Sequence, residues 1–389
     1  MKKIFPSLVL LLAAAAAAVA QSPSAREAVA SLPESQAVLV INARRITNDA
    51  LPRVLSPAQL ADMDKGIADI RKQVNVDLRA VEYAVAGVQF SPDTLAAGQT
   101  PEFGAVVRGG FSADTVLSFV RMTQAAQHRA ETHGGKTLDV YKIALGGPKP
   151  AAAAGDPNTS PTPTPPLPPF KLPTEIAFVS FGADELMVGT PAYVRAAIDA
   201  RGGTGARVRA ELADLALRNA ESLVSIAGQM PANLSKLLGV AGDATGGGAA
   251  VSAVMNAEMN RLMDSVREMQ FSVNMGAADF NVQSILRTDK PEDARALSGL
   301  ASMGLGAAEQ EFQKAATAGK TAKAKADARK LVAVMKSIGN EVRDNEITFS
   351  VAAPHATVAE LLRPTPPPVK PAPRRATPAA GRKTVKRRG

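Results

Sequence analysis

Two stretches of the chain carry the same order of patterns: a short strand, a helix, a hairpin, a helix, a strand and a helix. In the first stretch, Ala37 to Asn42 (AVLVIN) is an apolar, β-rich run. Pro57 to Gln73 has helical spacing, with Leu60, Met63, Ile67 and Ile70 on one face. Ala80 to Phe90 alternates Val81, Tyr83 and Val85 against Glu82, Ala84 and Ala86, as a half-buried strand does. Phe103 to Gly109 is the returning strand. Ser112 or Asp114 is placed to cap the next helix, which turns Val116, Phe119 and Val120 inward. The strands Thr137 to Ile143, Glu175 to Phe181 and Glu185 to Gly189 follow, the last two joined by a tight turn at Gly182-Ala183-Asp184. Pro191 opens a helix over Ala192 to Ala200, where its missing N–H costs nothing.

The second stretch answers the first. Ser222 to Ala227 answers Ala37 to Asn42, and a helix over Asn256 to Val266 leads into Met269 to Met275. Phe280 to Thr288 returns, and Lys290-Pro-Glu-Asp opens a helix. A further helix covers Ala326 to Gly339, Asn345 to Ala352 answers Glu175 to Phe181, and Ala356 to Leu362 closes the order. The expected fold class is α+β: two similar modules of mainly antiparallel sheet, each with helices on one face. Their expected bounds are 21–205 and 206–363.

Other segments are not expected to join a core. Residues 1–20 have Lys2 and Lys3, an apolar run from Leu8 and the small-x-small site Ala18-Val19-Ala20, as in a signal peptide cleaved before Gln21. The apolar part, Leu8 to Ala20, is shorter than the roughly 20 residues of a membrane span. The expected compartment is periplasmic or extracellular. Residues 146–173 form a Pro-rich loop inserted in the first module, because proline removes ladder donors and fixes φ. Residues 242–248 (GDATGGG) are a flexible break, and 364–389 are a Pro-rich, basic tail expected to be disordered.

Composition narrows the chemistry. With 46% hydrophobic residues there is enough apolar material for a core, and with no Trp and three Tyr that core is aliphatic. There is no cysteine, which excludes disulfides, thiol nucleophiles and Cys-based zinc sites. The formal charge of +9 belongs to the ends: Lys2 and Lys3 account for two positive charges and the tail for eight. The body between is close to neutral, so it offers no basic face for nucleic acid, and sequence-specific nucleic-acid binding is not expected.

The order of elements, together with Glu185 to Ala200 (ELMVGTPAYVRAAIDA) and Phe271 to Leu297, resembles that of exported bacterial proteins of unknown function built from duplicated hairpin-and-helix modules. The resemblance covers most of Leu32 to Arg363. It implies a fold and a location, and no catalytic signature.

No motif assigns a reaction. Gly135-Lys136-Thr137 ends like a phosphate-binding loop, but Ala130 stands where that pattern needs Gly, so it reads as a turn into a strand. Gly319-Lys320-Thr321 fails in the same way, with Lys314. His128 and His133 are expected to face solvent near a helix end, and with Glu131 between them they make an incomplete metal set. No Gly-x-Ser-x-Gly elbow singles out a serine. Asp62, Asp64 and Asp69 alternate with basic residues on a solvated helix face, and Glu292 and Asp293 fit the first turn of a helix. Met255, Met259 and Met263 form a stripe that reads as core filling. No catalytic, cofactor-binding or metal-binding residue is assigned, and no cofactor is expected.

The tail holds the positive signal. Lys370, Arg374, Arg375, Arg382, Lys383, Lys386, Arg387 and Arg388 stand without an acidic residue among them. They suit the phosphates of lipid head groups or lipopolysaccharide, and no interleaved aromatic residue supports base stacking. The expected function is non-enzymatic binding or scaffolding in the envelope, with the tail tethering the protein to an anionic surface. The alternative is a hydrolase-type enzyme with a site between the two modules.

Overall fold

The computed structural model describes residues 23–74, 76–90, 100–123, 128–142, 173–219, 221–230, 249–318 and 321–361. Residues 1–20, nearly all of 146–173, 242–248 and 364–389 lie outside the described residues.

Helix α1 (Pro23–Ala30) precedes strand β1 (Ala37–Ile41). A helical run over 43–54, whose middle Ile46–Ala50 is wound as a π-helix, leads to α2 (Pro57–Val74). Strands β2 (Val81–Gln89) and β3 (Glu102–Gly109) follow, then α3 (Ala113–Thr123). Two hairpins come next: β4 (His128–His133) with β5 (Lys136–Lys142), and β6 (Glu175–Gly182) with β7 (Glu185–Gly189). Helices α4 (Pro191–Gly202) and α5 (Ala210–Ala216) end the first half. The second half runs through β8 (Ser222–Gln229), α6 (Ala249–Asp264), β9 (Val266–Met275) and β10 (Asp279–Thr288). It ends with α7 (Pro291–Ala318), α8 (Ala322–Lys336), β11 (Gly339–Arg343), β12 (Glu346–Pro354) and α9 (His355–Leu361).

The chain is α+β, and its strands form one antiparallel sheet of twelve in the order β11-β12-β10-β9-β8-β1-β2-β3-β7-β6-β5-β4. The sheet does not break at the expected boundary near 205. β1 pairs with β2 on one side and with β8 on the other, so the two halves share one ladder. Outward from that ladder, β1-β2-β3-β7-β6 is matched in position by β8-β9-β10-β12-β11.

Local chemistry sets the element ends. Ser112 Oγ accepts from the Thr115 N–H at 3.2 Å, satisfying one unpaired donor at the start of α3. Helix α4 begins with Pro191 after an extended Thr190 and stops at Gly203, whose φ of 79° suits glycine and whose N–H reaches the Ala200 carbonyl. Gly134 (φ 55°) and Gly135 (φ 74°) make the left-handed turn between β4 and β5.

Several elements differ from expectation, the helical run over 43–54 among them. Residues 128–133, read as a helix end, form edge strand β4, and 339–343, of which only Gly339 was expected in a helix, form the opposite edge strand β11. Both are polar, so neither carries the hydrophobic alternation that marks a strand. Helices α1 and α5 were unread because each is short.

Directly paired residues share a face of the sheet. On one face, Val38, Val85, Val106, Val140, Val179 and Met187 pack under α1, α4 and α5, with Val29, Tyr193, Leu212 and Leu215 fully buried. Each such large side chain contributes about 1.5–3 kcal/mol on burial. On the other face, α6 and α7 cover Leu286 and Ile347 in the second half. The expectation of helices on one face holds within each of these layers, and α3 departs from it. It crosses to the second face, where Ala113 and Leu117 cover Phe178 and Leu186. Those two residues alternate with Ala177, Val179 and Met187, so this part of the sheet is apolar on both sides and needs two covers.

The predicted stripe of α2 is packed less deeply than its spacing suggests. Leu60, Met63 and Ile67 are half-buried and Ile70 is exposed.

Candidate functional site

One row of directly paired residues crosses all twelve strands on the face covered by α3, α6 and α7. From one edge it reads Asn340, Phe349, Ser284, Phe271, Ile226 and Leu39. It continues through Ala86, Ala105, Val188, Phe178 and Asp139 to Ala130. The middle is apolar and partly open: Ile226 is 42% and Phe271 36% exposed. The two ends differ in kind.

At the β12 end lies an open groove of about 480 Å³ between α7 and the sheet. Its floor is Val282 and Ser284 of β10 with Phe349 and Val351 of β12, and its roof is Ala301, Gly304 and Leu305 of α7. The groove exists because α7 presents small residues there. A Cβ built on Gly304 meets no atom within 4 Å. Two other glycines of this helix, Gly299 and Gly306, face open space in the same way. The floor has no charged side chain, and such a surface favours hydrocarbon over polar groups that would lose their water.

At the β5 end, the Asp139 side chain is 1% exposed. Its carboxylate accepts from Arg121 Nε at 2.9 Å and Nη2 at 2.6 Å, and lies 2.7 Å from His128 Nε2. Burial by itself would raise this carboxyl, but the bonds from Arg121 and His128 hold it below the usual carboxylate range. An ionised carboxylate only accepts, so His128 carries its proton on Nε2. The bond to Asp139 raises the Arg121 guanidinium in turn. His128 stacks on Tyr141 with centroids 5.0 Å apart, and Tyr141 meets Phe178 edge-on at 5.7 Å. The Tyr141 hydroxyl is buried without a hydrogen-bond partner, and desolvation raises its pKa. This cluster ties α3 to β4 and β5, and its carboxylate is fully engaged.

A third feature is a polar hollow of about 420 Å³ beside Tyr83, Arg108, Arg201 and Arg207. Its arginines are largely satisfied from within. Arg108 Nε is 3.1 Å from Asp184, Arg201 pairs with Glu185 and lies 3.8 Å over the Phe181 ring, and Arg207 Nε donates to the Ala200 carbonyl at 2.9 Å.

The histidines lie elsewhere than expected. His128 and His133 are on strand β4, partly buried, and His133 Nε2 meets Asp199 at 2.8 Å. Five residues apart on a strand, they point to opposite faces. His355 packs its ring against Phe280 at 4.8 Å. Among the described residues, no group of three or more His, Asp or Glu is placed to hold a metal ion. Asp64 pairs with Arg79 and Asp69 with Lys72, as a solvated face implies. Asp293 is buried and bonds Arg261 at 2.7 Å, a partner 32 residues away that spacing does not reveal. Met263 packs against the core under α6. Lys370, Arg374, Arg375, Arg382, Lys383, Lys386, Arg387 and Arg388 lie outside the described residues. The groove had no sequence motif. Its one signal was the small residues Ala301, Ser302, Gly304 and Gly306, close together on an otherwise helical pattern.

No family model matches the chain, and no curated protein matches it. Among solved structures it is similar to the Treponema protein TP0453. Crystal form III of that protein gives a TM-score of 0.38 at 7% identity, over 85% of this chain and 96% of that one. Crystal forms I and IV each give 0.37 at 8% identity, over 86% of this chain and 95% of that one. Among the described residues, no helix is long and apolar enough to cross a membrane.

Proposed function

We propose that this is an exported, non-enzymatic binding protein of the bacterial envelope that takes a hydrophobic ligand in the groove between α7 and the sheet. The observation that carries the reading is the groove itself: apolar walls and a glycine that opens onto empty space. Its volume falls in the range of about 300–1,000 Å³ typical of small-molecule sites. In this reading residues 1–20 direct export, and 21–205 and 206–363 are two modules joined through the β1–β8 ladder. The tail residues Lys370 to Arg388 tether the protein to anionic lipid or lipopolysaccharide phosphates.

Two measurements test it. The neutral dye N-phenyl-1-naphthylamine brightens in apolar sites. It is expected to brighten with the native protein and to lose that signal with Gly304→Leu. Replacing a mid-helix glycine stabilises a helix by about 0.5–1 kcal/mol, so loss of signal will not reflect unfolding. Equal brightening by both proteins overturns the groove. For the tail, deletion of 364–389 leaves thermal stability unchanged and weakens retention on anionic liposomes. Equal retention of both forms at low salt overturns the tether.

A further inference from the structure

Resting on the reading of the groove as a binding site, we infer that its ligand is a single-chain amphiphile with an anionic head group. The chain lies between α7 and the sheet, and the head lies among basic side chains at the end of α8. Three observations converge on this class.

The first is the wall chemistry. Val282, Phe349 and Val351 below and Ala301 and Leu305 above offer no charge and almost no hydrogen bonding to the buried part of a ligand. A polar ligand would forfeit its hydration there, so the inserted part is hydrocarbon. The second is shape. The space follows one helix across two strands, β10 and β12, and is sized for a small molecule. It suits one chain.

The third is charge complementarity at the rim. The second half of α8 carries the exposed basic side chains Arg329, Lys330 and Lys336, of which Lys330 pairs with Glu360. Lys336 ends α8, two residues before Ile338, which lines the groove. Its side chain is 61% exposed, and its Nζ lies 3.8 Å from Glu309, which stands one turn beyond the lining residue Leu305. A pair this long, with its lysine exposed to solvent, is weak, so an incoming anion can replace Glu309. Arg329 is exposed on the same helix. A cationic amphiphile would meet repulsion here, and a neutral one would gain nothing from the rim.

The test is displacement of N-phenyl-1-naphthylamine from the full chain by three twelve-carbon probes below their micelle concentrations: dodecanoate, dodecanol and dodecyltrimethylammonium. Dodecanoate is expected to displace the dye at least about tenfold more tightly than either other probe, the scale of a charge-assisted contact. With Lys336→Glu, dodecanoate is expected to fall to the level of dodecanol while dodecanol itself is unchanged. Equal displacement by dodecanoate and dodecanol overturns the anionic preference and leaves the groove standing. A dodecanoate preference that survives in the double variant Lys336→Glu with Arg329→Glu overturns the placing of the head group at the end of α8. Failure of the native protein to brighten the dye overturns the binding reading itself, and this inference with it.

Discussion

The Tyr193 side chain occupies the space that Gly87 leaves empty: a Cβ on residue 87 would lie 1.9 Å from the Tyr193 hydroxyl oxygen. That hydroxyl is 2.7 Å from Ser35 Oγ, and Ser35 already donates its proton to the Pro33 carbonyl at 2.8 Å. Tyr193 is therefore the donor to Ser35. Burial pushes its phenol well above the ordinary tyrosine range, so it stays protonated for that role. Gly87→Ala is expected to cost at least about 1–3 kcal/mol by overpacking. Tyr193→Phe alone costs about 1 kcal/mol for the lost hydrogen bond. In the double variant, part of the Gly87→Ala penalty is relieved, because the atom in closest conflict is gone. Urea unfolding of the three variants reads the coupling, and strict additivity would contradict this packing.

The cluster at Asp139 predicts a pH signature. Its folded carboxyl is held low by Arg121 and His128 despite burial, with Tyr141 as the other titratable neighbour. A lowered folded value means that the stabilisation is complete above the unfolded value, about 3.9. It is lost as pH falls through the folded value. Melting temperatures of native protein and Asp139→Asn, measured from pH 7 to pH 2, are expected to differ most at neutral pH and converge at the acid end. A gap that stays constant would remove Asp139 as the source.

Close strand approach is tested at Gly189. A Cβ there would lie 2.4 Å from the Phe103 carbonyl oxygen, a backbone atom with little room to move. Gly189→Ala is expected to loosen the β3–β7 pairing, cost at least about 1–3 kcal/mol and speed amide exchange across that pairing. Gly135→Asn serves as the control. Its φ of 74° suits Asn among side chains, and nothing lies within 4 Å of its Cβ, so it is expected to fold normally.

A second ionic group links the far end of the sheet. Glu346 of β12 is bonded by Arg218 and by Arg287 Nε at 3.1 Å, and Arg287 also reaches Glu268 at 2.9 Å. Burial raises the Glu346 carboxyl, and its two arginine bonds bring it below the usual range. Glu346→Gln leaves Arg287 with Glu268 alone. At its partial exposure the expected cost is about 1–3 kcal/mol, smaller in high salt because exposed charges are screened. Chemical denaturation at two ionic strengths checks both statements.

The sequence was legible wherever burial imposed a period. Strand β2 alternates because one side chain in two meets the core, and the bounds of β2, β3, β7 and β10 fall within a residue or two of expectation. The two strands unread, β4 and β11, are the sheet's outermost. There, polar side chains such as Arg129 and Glu131 are what an edge needs, and they erase the alternation. The groove was illegible for a different reason. It is defined by what α7 lacks at Ala301 and Gly304, and a missing side chain becomes a cavity only once the facing strands are known. The Asp139 cluster joins a helix to a hairpin over 18 and 11 residues, and no fixed spacing announces such a contact.

The ladder between β1 and β8 also imposes an order in time. Ala37 to Ile41 is made early, yet one of its two hydrogen-bonding flanks finds its partner only when Ser222 to Gln229 arrives. A chain emerging N-terminus first must carry that bare flank through the synthesis of some 180 intervening residues. When β8 arrives, it seals that flank within one molecule, where pairing with another chain would join two.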